Sequence, residues 1–162
     1  MALSALSDEL MRAEGMMMQD QNEEALELLL RLAEDAEEYV DCNCQTTDEV
    51  QYFAFPTLFD RLAYRRVEND PRKLEDVHEP FDRLYGDLAM AYVRTGDYEN
   101  AMNALKTAIR WNPMNCGFRL DLADLFKIAG DIREHIALTL FSASPPRGTI
   151  RNGSILVAAS QG

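Results

Sequence analysis

The side chains best equipped for chemistry are Cys42 and Cys44, the carboxylate pairs Glu23-Glu24 and Glu37-Glu38, and the two histidines, His78 and His135. Two thiolates one residue apart could serve a soft metal, but four-coordinate zinc needs two further ligands at suitable spacing, and neither histidine lies near the cysteines in sequence. The paired glutamates fall in a regular amphipathic stretch, where a solvated face accounts for them without acid–base work. A nucleophile needs a positioned base, and no G-x-S-x-G elbow occurs. The eight glycines are scattered, so no phosphate-cradling loop is read. The expectation is a protein that is not an enzyme, with no catalytic residues, no metal site and no cofactor.

Charge narrows the partners. The 162 residues carry a formal net charge of −12, which opposes a phosphate backbone, so no nucleic acid is expected. Residues 1–50 hold fourteen acids against Arg12 and Arg31, while residues 51–162 are balanced. Arg61, Arg65, Arg66, Arg72 and Lys73 form a basic cluster, read as complementing the acidic first third. Three cysteines without a signal peptide point to reduced thiols and a cytoplasmic protein. No stretch of about 18 apolar residues exists, so no membrane span is expected. Met16-Met17-Met18 reads as core and helix-end packing.

These residues need elements to carry them, and the apolar spacing supplies helices. Leu3, Leu6, Leu10, Ala13 and Met17 share one face, as do Ala25, Leu28, Leu29, Leu32 and Ala36 to about Tyr39, with a polar break at residues 19–22 between them. Phe53, Phe55, Leu58, Phe59, Leu62, Tyr64 and Val67 predict a third helix with Pro56 in its first turn, and residues 72–80 a connector. Further on the sequence repeats itself. At an offset of 34, Leu88 meets Leu122, Ala89 meets Ala123, Tyr92 meets Phe126, Gly96 meets Gly130, Asp97 meets Asp131 and Tyr98 meets Ile132. A period of this size signals helix pairs that stack because none buries its apolar stripe alone.

Tyr85-x2-Leu88-Ala89-x2-Tyr92, Gly96-Asp97-Tyr98, Ala101-x3-Leu105, Ala108 and Pro113 resemble a full tetratricopeptide repeat. A second unit from Cys116 resembles the pattern through Ile132 and departs at His135, Ser142 and Ser144; residues 5–39 look like a degenerate first repeat. The fold class expected is all-α, an antiparallel helix-hairpin array of the right-handed α-solenoid type. Its segments are a hairpin over 1–42, a third helix and connector over 50–80, two repeats over 81–144 and an irregular tail over 145–162.

The resemblance implies a scaffold or adaptor for a protein or peptide partner, held on the inner surface formed by the first helix of each unit. By alignment that surface contains Arg83, Gly86, Met90, Val93 and Arg94, then Leu120, Asp124, Lys127 and Ile128. Repeats that clamp chaperone C-termini place Lys and Asn there; Gly86 and Met90 depart from this and favour an amphipathic ligand with apolar anchors. The alternative is a homo-oligomer assembled through the last repeat, or a truncated repeat protein without a ligand of its own.

Overall fold

The computed structural model describes residues 3–130 and residue 139. Its elements run α1 (Leu3–Met18), α2 (Asn22–Asn43), β1 (Val50–Phe53), α3 (Leu58–Val67), β2 (Lys73–Asp76), α4 (Phe81–Thr95), α5 (Tyr98–Trp111) and α6 (Cys116–Ile128). The apolar stripes expected for the first two helices are the buried ones: Leu6, Leu10 and Ala13 of α1 meet Ala25, Leu29 and Ala36 of α2. Asp20 turns the chain between them with a positive φ of 63°, a conformation that short polar side chains tolerate. Helix α2 continues past Tyr39 to Asn43, which leaves Cys42 exposed on its last turn and Cys44 buried just beyond it.

The repeat hairpin packs most extensively, α4 on α5, and α4 also lies against α2 and α1. Gly96 ends α4 in the left-handed region at φ 83°, and its N–H reaches the Val93 carbonyl. Asp97 then caps α5 by accepting from the Asn100 N–H, so the Gly-Asp pair makes the tight turn its spacing suggested. Ala89, Ala91, Ala101 and Ala108 are buried in the core to which α4 and α5 contribute, together with Leu84, Leu88 and Leu105. At its base Asn112 Nδ2 donates to Asp82 Oδ2 over 2.8 Å. Burial raises the pKa of Asp82, and the amide partly offsets that.

The described residues are mostly helical, as expected, and residues 50–76 add one element that was not. They contain a two-stranded parallel sheet, in register from Val50 opposite Lys73 to Phe53 opposite Asp76, with α3 as the crossover. The helix expected from Phe53 starts only at Leu58. Phe55 precedes a proline and is steered from helical geometry, and extended Thr57 caps the new helix by accepting from the Asp60 N–H over 3.1 Å. The aromatic run therefore splits between two faces. Phe53, Phe55, Tyr64 and Leu74 form a separate small core, with Phe53 and Tyr64 rings 4.7 Å apart. Leu58, Phe59 and Leu62 point outward. The connector over 72–80 contains β2, and the Ala54 N–H donated to the Trp111 carbonyl ties the sheet to α5.

Asp131, Ile132, His135, Ser142, Ser144 and the tail over 145–162 lie outside the described residues.

Candidate interaction surface

The residues aligned to the inner surface sit on α4 and α6 in three different environments. Arg83 and Arg94 are used within the molecule. Arg83 donates from Nε and Nη2 to Glu14 Oε1 over 2.9 and 2.6 Å, and Arg94 Nη1 reaches the Met17 carbonyl at the end of α1 over 3.1 Å. Both arginines thus hold α1 against α4, a role that no local sequence pattern announces because the contacts span 69 and 77 residues. Val93 is partly buried against the main core. Gly86 faces Phe118: a Cβ there would lie 2.7 Å from Cε1 of that ring, so α6 approaches α4 through the space a side chain would fill.

Met90, Leu120 and Ile128 remain in solvent, 49%, 45% and 64% exposed, with Asp124 and Lys127 exposed beside them on α6. The surface is apolar with charges of both signs at the α6 end.

Near Arg83 the electrostatics are unusual. Asp87 stands 3.9 Å from the Arg83 Nε, too far for a hydrogen bond. Burial and the neighbouring Glu14 carboxylate outweigh that guanidinium and push the Asp87 carboxyl up to about 7. Elsewhere a cleft of about 380 Å³ opens between α2, α4 and α5, bordered by Glu37, Asp41 and Arg110. Its floor is aromatic, with the Arg110 guanidinium 4.7 Å from the Trp111 ring and the Tyr85 hydroxyl 3.4 Å from Glu37 Oε1. The Tyr85 hydroxyl is pushed up to about 12, first by burial and then by Glu37.

The basic cluster does not reach the acidic helices in the way its charge suggested. Arg61 Nη2 donates to the Leu74 carbonyl over 2.7 Å, Arg72 pairs with Asp70, and Lys73 pairs with Glu75. Among the described residues no group of three or more His, Cys, Asp or Glu is placed to hold a metal ion. No described helix is long and apolar enough to cross a membrane.

A hairpin of amphipathic helices with a Gly-Asp turn, stacked on a further helical pair, makes the described residues a mostly helical, helical-hairpin fold. Residues 82–115, which span α4, α5 and the turn after them, match the family model of the tetratricopeptide repeat, so the chain carries one such repeat there. Comparison with the curated proteins and with the solved structures finds no match. Repeats of this family serve in general as scaffolds for protein–protein interaction.

Proposed function

We propose that this chain is an adaptor that binds an amphipathic helix or peptide along the first helices of its repeat units. The observation that carries this is the exposure of Met90 on α4 and of Leu120 and Ile128 on α6, large apolar side chains that an amphipathic ligand would bury. On this reading α1 and α2 act as a degenerate repeat ahead of the matched unit, in a solenoid arrangement. Arg83 and Arg94, with Glu14 and the end of α1, then set the spacing of the first helices rather than touching the ligand. Apolar side chains supply the affinity and Asp124 and Lys127 the orientation.

The test is capture of partners from a lysate of the source organism by the wild type and by Met90→Glu/Leu120→Glu, with far-UV circular dichroism as the folding control. Both positions are exposed, so the variant should fold normally. A partner retained by the wild type and lost from the variant supports the reading. Equal capture by both, or capture of nothing, overturns it.

A further inference from the structure

Helix α3 is amphipathic in an unexpected sense. Its inward face is short and aromatic: Tyr64 packs on Phe53 and Phe55, and Arg61 ties the helix to the Leu74 carbonyl. Its outward face carries the larger aliphatic and aromatic content. Leu58, Phe59 and Leu62 are 69%, 77% and 57% exposed, and helical spacing continues that face to Arg65 and Arg66, which are also exposed. The other three members of the basic cluster have partners, but Arg65 and Arg66 make no ion pair with any described residue. No carboxylate shares this outward face; Asp60 sits on the other side, accepting from the Thr57 hydroxyl. The helix is anchored from behind by the small aromatic core, so these five side chains are presented on a fixed frame.

We propose that the outward face of α3 is a second docking surface, separate from the inner repeat surface, and that its occupant is an acidic amphipathic helix of a partner protein. Leu58, Phe59 and Leu62 would enter the apolar stripe of that helix, and Arg65 and Arg66 would pair with carboxylates bordering the stripe. Charge complementarity selects this occupant. A second copy packed face to face would bring four arginines into the interface with no carboxylate to receive them, between molecules each carrying −12. Residues 145–162 of the same chain contain Arg147 and Arg151 and no acid, so they have the wrong sign. An anionic bilayer would extend well beyond the patch and repel a chain that carries −12. A single helix stays within about one Debye length of the two arginines.

The experiment uses the full chain and a fluorescein-labelled helical peptide of about three to four turns, with a Leu/Phe stripe bordered by Glu, beside a twin in which every Glu is Lys. Fluorescence anisotropy should give saturable binding of the Glu peptide, at least about tenfold tighter than of the Lys twin and weaker at high salt. Phe59→Ser/Leu62→Ser should weaken it by about tenfold or more, and Arg65→Glu/Arg66→Glu should exchange the preference to the Lys twin. Met90→Glu/Leu120→Glu should leave it unchanged, which keeps this surface distinguishable from the inner one. Absence of saturable binding, or equal binding by the α3 variants, overturns the proposal. So does co-sedimentation with phosphatidylserine vesicles that Phe59→Ser/Leu62→Ser abolishes without any peptide binding, which would make the face a membrane contact. A concentration-dependent mass removed by the same substitutions would instead make it a contact between copies.

Discussion

A hydrogen atom is all that Gly86 places toward Phe118, and this decides what the inner surface can be at that point. A methyl group would stand 2.7 Å from the edge of the ring, well inside van der Waals contact. The ring is only partly buried and can rotate away, so Gly86→Ala should destabilise the protein by about 1 kcal/mol, at the low end for overpacking. In a Phe118→Ala background the same substitution should cost nothing or stabilise a helix interior, where alanine is favoured over glycine by about 1 kcal/mol. Urea unfolding of the four proteins of this cycle measures the coupling; equal costs in both backgrounds would contradict the packing argument. The same geometry explains why no lysine or asparagine stands here to clamp a terminal carboxylate.

At the scale of elements, α3 depends on its first turn more than the longer helices do. It has ten residues, fewer than an isolated helix needs in water, and among its residues only Tyr64 is buried. Thr57 supplies the cap, its Oγ1 accepting from the Asp60 N–H. Thr57→Ala should cost about 1 kcal/mol. Hydrogen exchange should speed up at the α3 amides and stay unchanged in α4 and α5, whose core is separate from the small aromatic one. A uniform loss of protection across all helices would show that the two cores unfold as one. Periodicity makes α1, α2, α4 and α5 plain in the sequence because each buries a single stripe. It misleads over residues 53–67, where one aromatic run serves a strand, a loop and a helix in succession.

The whole molecule feels pH through the contact of α1 with α4. The carboxyl of Asp87 is raised from 3.8 to about 7, so the folded state binds its proton more tightly than the unfolded chain does. Its contribution to stability is complete below about pH 4 and is lost as pH rises through 7. Asp82, raised by burial, acts in the same direction, while Asp70, lowered by its bonds to Arg72, acts in the opposite one. The difference between wild type and Asp87→Asn isolates the one group. The variant should be relatively more stable at pH 8 than at pH 4, with the change spread between those values, as read from unfolding midpoints across the range. A pH-independent difference would remove Asp87 as the source.

The local alphabet of this chain is enough to specify its repeat hairpin. Gly96 and Asp97 make the turn, small alanines let α4 and α5 approach, and a period of 34 residues repeats that design into α6. The turn residues are adjacent in the chain, where hydrogen-bonding and steric rules act without help from the rest of the fold. The destination of side chains across long separations was a different matter. Arg83 and Arg94 looked available to a ligand until α1 folded back on them, and Lys73-Leu74-Glu75-Asp76 has little strand propensity yet pairs with Val50–Phe53. Burial of Asp87 beside Glu14, and exposure of Leu58, Phe59 and Leu62, likewise follow from which helix face met a neighbour. That choice is made by competition among all the apolar surfaces of the molecule at once, so it belongs to the packed whole and to no single stretch of sequence.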